Sequence, residues 1–231
     1  MKSNNVYVSS INEASKKIVK GIGYGTESTV GLLKNNKRAL KVFKQPLDLS
    51  EKQNLLIGKD LVQDSYVFFD KVYANNDFIF AAECDYINGE KMDSNIINTP
   101  LLKLNYATHI LKRDTKIISD NGIITDDIKP FNTLYTDDYI KIVDTTRFEY
   151  SSKDKNELYR YNLEMVFSMI RNCFNNDFLQ FIFEKEKDLK KEFYNNEKFP
   201  FFFIDLQDYI DEKSNNPINT FGKYVKNNNN Y

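Results

Sequence analysis

The sequence contains few of the residues that build disulfide or metal sites. Its 231 residues include two cysteines, one histidine and no tryptophan. Cys84 and Cys173 cannot form a disulfide framework, and two cysteines are too few for a zinc site. His109 falls within a helical pattern that offers it no base or nucleophile partner, so we expect it to have a structural role.

The sequence also lacks an excess of charge and a long apolar run. Its 32 Lys and Arg residues balance 33 Asp and Glu residues, for a net charge of -1, which gives no support for a nucleic-acid partner. The longest apolar patch, 199–206, is shorter than the roughly 20 residues that span a bilayer. No apolar run of signal-peptide length occurs near the N-terminus. We therefore expect a cytoplasmic protein with no nucleic-acid or membrane partner; secretion without a readable signal stays open.

Apolar side chains are nevertheless sufficient for a core, since 41% of the residues are hydrophobic and the aromatics include 15 Tyr and 18 Phe. We expect the aromatic patch 199–203 to belong to the core rather than to a partner surface. The charged run 184–192 is typical of a solvated helix face.

The first part of the chain has the patterns of a sheet. Apolar and alternating segments predict strands at 16–24, 28–34, 39–44, 65–73 and 78–87. Ser50 is a suitable N-cap for a helix over 51–61. We therefore expect a five-stranded antiparallel sheet with one helix.

The second part is mainly helical in pattern. Apolar residues at helical spacing predict helices at 101–120, 157–174, 177–194 and 204–213. Between the first two helices, short apolar runs predict two strands around a loop. The fold class is α+β, with a strand-rich part followed by a helix-rich part.

Two features of the first part of the chain are candidates for a functional site. Gly23 and Gly25 lie in a turn between two predicted strands, where small residues let backbone N–H groups approach phosphate oxygens. Val30 follows on the second of these strands. Lys41 falls in the middle of the next strand, on the same face as Ala39, and would point beneath the glycine turn.

A third feature lies in the second part. Residues 127–132 read Asp-Ile-Lys-Pro-Phe-Asn, and Asp144 ends a strand twelve residues after Asn132. Phosphoryl transfer from ATP needs a base that orients the acceptor, ligands for Mg²⁺ and positive charge near the γ-phosphate. These residues supply all three.

With these motifs in this order, the chain resembles the eukaryotic-type protein kinase family over about residues 21–170. The resemblance implies a two-lobed fold with residues 1–87 as the N-lobe and residues 88–231 as a small, mainly helical C-lobe. The lobes would be joined by a hinge at 84–89. The implied cofactors are ATP and Mg²⁺.

The resemblance also implies roles for individual residues. The residues that would bind ATP are Gly23, Gly25, Val30, Lys41, Glu51, Asp85 and Ile87. Lys41 would hold the α- and β-phosphates, and Glu51 would pair with it, Asp60 being the alternative. Cys84 would occupy the gatekeeper position at the start of the hinge, and Asp85, Tyr86 and Ile87 would offer backbone groups to adenine.

The catalytic loop would span residues 125–132 and contain the remaining functional groups. Asp127 matches the catalytic Asp of the family, and Lys129 matches the Lys near the γ-phosphate. Asn132 and Asp144 match the metal ligands.

The sequence departs from the family in two motifs and in one length. Thr125-Asp126 stand in place of His-Arg, and Thr145-Thr146 in place of Phe-Gly. Only twelve residues separate Asp144 from Glu157, and no Ala-Pro-Glu occurs. Control by phosphorylation of an activation loop is therefore not expected.

The resemblance implies a Ser/Thr-type protein kinase that transfers the γ-phosphate of Mg-ATP to a hydroxyl. The Lys-Pro pair after Asp127 favours a protein acceptor over a small molecule. Two alternatives stay open: a pseudokinase that serves as an ATP-binding scaffold, motivated by the altered motifs, and a small-molecule kinase, motivated by the short segment after Asp144.

Overall fold

The computed structural model describes residues 4–34, 36–136, 138–214 and 216–228. Within these ranges the side chains of Ser94 and Asn95 are not described. The described chain forms an α+β structure with a mixed sheet and a helical part, which is compatible with two lobes. The predicted fold class, strands first and helices second, is confirmed at this level. No helix in these ranges is both long and apolar enough to cross a membrane.

The sheet has six strands rather than five. They are β1 (Asn5–Tyr7), β2 (Lys20–Tyr24), β3 (Ser28–Leu32), β4 (Arg38–Asp48), β5 (Lys71–Ala74) and β6 (Phe78–Asp85), in the spatial order β1-β5-β6-β4-β3-β2. The prediction of a five-stranded antiparallel sheet was wrong, because β1 adds a strand that runs parallel to β5. Three residues are too few to show a period in sequence, and β1 forms because it satisfies the open edge of β5.

The predicted strand 65–73 is also divided in the structure. Only its end belongs to β5, whereas residues 65–70 extend toward the helical part. There the Val67 N–H donates to the Ile142 carbonyl (2.9 Å), and the Ile142 N–H donates to the Ser65 carbonyl (2.8 Å). This segment therefore joins the sheet to the helical part through backbone hydrogen bonds.

The helix predicted over 51–61 is much shorter in the structure. A 3₁₀ turn at Leu49–Glu51 leads into α2 (Lys52–Leu55), which follows α1 (Ile11–Ser15) in the chain. A Cβ on Gly58 would lie 2.3 Å from the Phe68 ring, so this glycine allows the close packing of irregular backbone on an aromatic side chain. Packing on Phe68 stabilises the turns that follow α2.

The helical part contains α3 (Met92–Asn95), a 3₁₀ turn (Ile96–Asn98), α4 (Leu101–Asp120), α5 (Lys155–Phe174), α6 (Asp177–Lys185), α7 (Lys187–Tyr194), α8 (Phe199–Lys213) and α9 (Phe221–Asn228). The prediction of a helix at 101–120 is confirmed. The single helix predicted over 177–194 breaks at Glu186, and α8 begins five residues before the predicted 204. Pro200 lies in the first turn of α8, where a missing N–H is tolerated.

Four short strands lie between α4 and α5, where two were predicted. In chain order the remaining strands are β7 (Glu90–Lys91), β8 (Ile123–Ile124), β9 (Thr133–Tyr135), β10 (Ile140–Ile142) and β11 (Glu149–Tyr150). One small sheet has the order β10-β9-β7, and β11 pairs with β8. These two small sheets bring the loop after β8 next to the end of β10.

The core of the helical part is rich in phenylalanine. The phenylalanines with less than 2% exposure there are Phe148, Phe167, Phe174, Phe183, Phe193, Phe199, Phe202, Phe203 and Phe221. The aromatic patch 199–203 is therefore core, as predicted, except for Phe201, which is 49% exposed. His109 packs edge-on against the Phe201 ring with 4.8 Å between ring centroids, in agreement with a structural role.

Candidate functional site

Lys41 lies in the middle of the large sheet. It is paired with Val30 on β3 and with Ala82 on β6, and its side chain is only 12% exposed. Side chains alternate between the two faces of a strand, so Lys41 shares a face with Ala39 and Phe43. Both of these residues belong to one buried apolar cluster on that face.

The same apolar cluster contains several of the predicted site residues. Cys84 is buried in it, and Val30, Ile87 and Val143 pack against it. Burial raises the pKa of the Cys84 thiol to about 12, so this cysteine is not a reactive thiolate at neutral pH. The structure thus brings apolar side chains from β3, β4, the end of β6 and the end of β10 together beside Lys41.

Lys41 contacts the predicted metal ligand Asp144 directly. Lys41 Nζ donates to both carboxylate oxygens of Asp144, at 2.7 Å each, and to Thr146 Oγ1 at 2.8 Å. The Asp144 side chain is 29% exposed. The sheet and the helical part therefore meet at an ion pair between two residues that the sequence singles out independently.

Asp144 is further held by Thr146. The Thr146 hydroxyl donates to Asp144 Oδ1 at 2.6 Å, and the Thr146 N–H donates to the same oxygen at 3.2 Å. Burial acts to raise the pKa of Asp144, but the positive charge and hydrogen bond of Lys41, together with the hydrogen bonds of Thr146, outweigh it. The net effect lowers the pKa of Asp144, so the carboxylate is ionised at neutral pH.

Asn132 lies beside the end of β10. It ends a 3₁₀ turn (Pro130–Asn132), and its carbonyl accepts a hydrogen bond of 2.9 Å from the Val143 N–H. This bond continues the pairing of β9 with β10, in which Thr133 is opposite Ile142. Asn132 is therefore opposite Val143, the residue before Asp144, so the two segments that carry the predicted metal ligands run side by side.

Asp127 lies on the loop that leads to this turn. Its φ of 56° is in the left-handed region, which non-glycine residues seldom adopt. The Asp127 carboxylate forms an ion pair of 2.6 Å with Lys129, and both side chains are about half exposed. The hydrogen bond and charge of Asp127 raise the pKa of Lys129, so the two predicted catalytic residues form one exposed pair of opposite charge.

A residue that sequence reasoning missed anchors this loop. Asn162 on α5 is fully buried; its side-chain oxygen accepts hydrogen bonds from the N–H and the hydroxyl of Thr125, at 2.8 and 3.1 Å. Its amide nitrogen donates to Ser119 Oγ and to the Ile123 carbonyl. The only signal in sequence is an asparagine at an otherwise apolar position of the helix, which indicates a buried polar network but not its target.

The glycine turn joins β2 to β3. The Gly25 N–H donates to the Ser28 carbonyl at 2.9 Å, which closes the turn. At its tip, Glu27 forms an exposed ion pair of 2.8 Å with Arg147, three residues after Asp144. Such pairs contribute about 0.2–1 kcal/mol, so this contact positions the turn only weakly.

The two carboxylates considered as partners of Lys41, Glu51 and Asp60, do not have that role in the described contacts. Glu51 is exposed at the end of a 3₁₀ turn, and the hydrogen bonds of Lys41 go to Asp144 and Thr146 rather than to Glu51. Its alternative, Asp60, is 87% exposed and pairs with Lys59. Among the described residues, Lys41 therefore does not form the expected ion pair with a carboxylate of the segment 51–61.

The Asp85 side chain likewise points to a different network. Its carboxylate accepts a hydrogen bond of 2.6 Å from Arg38, which also contacts Glu83 and Asp70. The role expected for Asp85 involved its backbone, so the side-chain contact with Arg38 leaves that expectation untested. Ile87 follows two residues later beside the apolar cluster.

The donor set fits a magnesium ion that is shared with a nucleotide better than one held by protein alone. In the described ranges no group of three or more His, Cys, Asp or Glu side chains is placed to hold a metal. Mg²⁺ is commonly bound by one or two protein oxygens together with substrate phosphates. Asn132 and Asp144 supply such oxygens.

Comparison with known proteins adds no family assignment. No model of a known protein family matches the chain, and no curated protein matches it significantly.

Proposed function

We propose that this protein binds Mg-ATP beside Lys41 and transfers the γ-phosphate to a hydroxyl group, as a Ser/Thr-type protein kinase does. The single observation that carries the proposal is the contact of Lys41 with Asp144. One residue comes from the middle of the sheet and the other from the end of β10 in the helical part. A cation and a carboxylate so placed are the pair that kinase-like phosphoryl transfer uses to hold phosphates and magnesium.

The apolar cluster beside Lys41 supports the nucleotide half of the proposal. A purine ring would lie against Val30, Ala39 and Ile87, with the phosphates directed toward Lys41. The glycine turn lies on the strands next to β4 and would approach the phosphates. A Cβ on Gly23 or on Gly25 would meet its nearest atom at 3.6 Å, an ordinary contact. Packing therefore does not require these glycines, which supports a role in close approach of a ligand.

Magnesium would be held by Asn132 and Asp144 and would neutralise phosphate charge when bound. Asp144 Oδ1 already accepts hydrogen bonds from Lys41 and twice from Thr146, whereas Oδ2 accepts only one from Lys41. A carboxylate oxygen has about two lone-pair sites. Oδ2 therefore keeps the capacity for a cation.

Asp127 and Lys129 would act on the acceptor side. Asp127 would orient the attacking hydroxyl and accept its proton, and Lys129 would offset negative charge at the γ-phosphate. Both side chains are about half exposed, so an acceptor can reach them from solvent.

The experiment is a transfer assay with radiolabelled ATP and Mg²⁺ on the purified protein, with products identified by mass spectrometry. We expect phosphate transfer at least onto the protein itself, and Asp127→Asn should reduce it by about 10²–10⁴-fold. Asp138→Asn, a change in an exposed loop of the same part of the chain, is the matched control and should retain activity.

A thermal-shift titration with Mg-ATP separates the outcomes. Saturating ligand should raise the unfolding temperature by about 5 °C or more. Absence of any shift would overturn the proposal, whereas a shift without phosphate transfer would identify a pseudokinase.

A small-molecule acceptor is the second candidate, and one observation favours it. Only residues 145–154 separate Asp144 from α5, and two of them form β11, which pairs with β8. This segment is too short to add a docking platform for an extended peptide. ADP release measured with a panel of small alcohols and with a panel of Ser/Thr peptides distinguishes the two acceptors.

A further inference from the structure

We propose that Thr146 is a positioning residue, which fixes Lys41 and Asp144 relative to each other. It does so from the helical part of the molecule, where a carboxylate from the segment 51–61 had been expected to position Lys41. The meaning of this contact for catalysis rests on the proposed function. The contact itself can be tested without it.

The hydrogen bonds around Thr146 define its role. Its hydroxyl donates to Asp144 Oδ1 at 2.6 Å and accepts from Lys41 Nζ at 2.8 Å. A hydroxyl has one proton and can also accept, so a single Thr side chain satisfies both contacts at once. Lys41, Asp144 and Thr146 thereby form a closed triangle of hydrogen bonds.

The triangle leaves the lysine little freedom. The ammonium group of Lys41 has three donors, and its contacts are the two oxygens of Asp144 and the hydroxyl of Thr146. The Lys41 side chain is 12% exposed. A lysine held by two partners on one loop moves with that loop, so the position of Lys41 is tied to the metal ligand.

The segment 51–61, which was predicted as a helix, does not compete for Lys41 in the described contacts. The candidate carboxylates there, Glu51 and Asp60, are both exposed. The helix α2 ends at Leu55, and Gly58 packs against Phe68, so the chain turns away after a single helical turn. The described contacts therefore support positioning of Lys41 by Thr146 and Asp144 rather than by Glu51 or Asp60.

Amine acylation tests the contact in the absence of nucleotide. The protein is treated with an acetylating N-hydroxysuccinimide ester, and the modification rate of each lysine is followed by mass spectrometry. Thr146→Val removes the hydroxyl without changing the volume greatly, and we expect Lys41 to react about tenfold faster in it, the factor for loss of one hydrogen bond to a charged group.

Two variants serve as controls. Thr146→Ser keeps the hydroxyl and should keep the slow rate. Thr145→Val removes the neighbouring hydroxyl, which contacts the Val67 carbonyl at 3.4 Å and neither Lys41 nor Asp144; it should also leave the Lys41 rate unchanged. The rate at the exposed Lys191 reports the reagent itself and should be equal in all variants.

The second measurement is Mg-ATP affinity by titration calorimetry, with kcat and KM where transfer occurs. Thr146→Val should weaken Mg-ATP binding by about tenfold, and Thr146→Ser should restore it. An equal Lys41 acylation rate in Thr146→Val and the wild type would overturn the proposal. Faster acylation in Thr146→Val with no Mg-ATP binding by the wild type would support the positioning role and overturn the proposed function instead.

Discussion

Asp144 shows how the environment of one residue decides its ionisation. The carboxylate is partly buried, which alone would favour the protonated form. Lys41 and Thr146 reverse this effect and lower the pKa of Asp144. Since its folded pKa lies below the unfolded value, the carboxylate contributes stability above the unfolded pKa, and this contribution is lost as the pH falls through the folded pKa.

Substitution of two glycines on neighbouring strands, Gly23 and Gly31, should have opposite effects on stability. Gly23→Ala adds a Cβ at ordinary contact distance from Val30, so stability should be unchanged or raised by about 0.5–1 kcal/mol. The same Cβ would obstruct phosphates beneath the turn, and Mg-ATP binding should weaken by about tenfold or more.

Gly31→Ala is the control for this prediction. Its Cβ would lie 2.2 Å from Ile18 Cγ2 and 2.9 Å from the Lys20 carbonyl, so the free energy of unfolding should fall by about 1–3 kcal/mol. Chemical denaturation and Mg-ATP titration of both variants measure the two effects. Equal Mg-ATP affinity for Gly23→Ala and the wild type would contradict a phosphate-binding role of the turn.

At the scale of elements, the helices α7 and α8 bring acidic side chains together. Glu186, Asp188 and Glu192 lie along one wall of a cavity of about 280 Å³, and Asp205, Asp208 and Glu212 lie along the other. Interaction with the Asp205 side chain, together with burial, raises the pKa of Glu192 to about 7. We therefore expect the stability of this helix pair to depend on pH.

The sign of this dependence follows from proton binding. Between the unfolded pKa near 4.5 and the folded pKa near 7, the folded state binds more protons than the unfolded state. Stability from Glu192 therefore falls as the pH rises through this window. Glu192→Gln should raise the unfolding temperature by about 2–4 °C at pH 8 and by less at pH 5.

Calorimetric scans at both pH values measure this difference. Lys190→Gln is a suitable control, because Lys190 is an exposed residue of the same helix and does not line the acidic cavity. A stabilisation by Glu192→Gln that is equal at pH 5 and pH 8 would show that repulsion with Asp205 is not its cause.

At the scale of the molecule, the site depends on contacts between the sheet and the helical part. Residues 65–70 leave the sheet to pair with β10, and β10 leads directly to Asp144. The ion pair of Lys41 with Asp144 is a second contact between the sheet and the helical part. Movement of one part relative to the other would therefore disrupt the site, without any contribution from α2.

A prediction about Glu51 belongs to this scale. Because Lys41 is held across the boundary and Glu51 is exposed, Glu51→Gln should change Mg-ATP affinity by less than about twofold, the range of an exposed charge. Asp144→Asn should weaken Mg-ATP binding strongly in the same calorimetric titration. A loss with Glu51→Gln as large as that with Asp144→Asn would mean that the helix rearranges to reach Lys41 when nucleotide binds.

Local sequence was sufficient for several features of this protein. The helix over 101–120 was predictable because its apolar period runs through twenty residues, and the hairpin of β3 and β4 because a polar turn separates two apolar runs. The spacing from Asp127 to Asn132 and Asp144 was visible as a motif. These features depend on residues that are close together in the chain.

Tertiary structure alone decided the rest. Strand β1 exists because β5 has an open edge, and Asn162 matters because it reaches the Thr125 backbone from another helix. Likewise, Lys41 pairs with Asp144 and Thr146, 103 and 105 residues away, rather than with Glu51. Hydrogen-bond partners of a buried polar group are chosen by what the folded chain brings within 3 Å, and no local pattern encodes that choice.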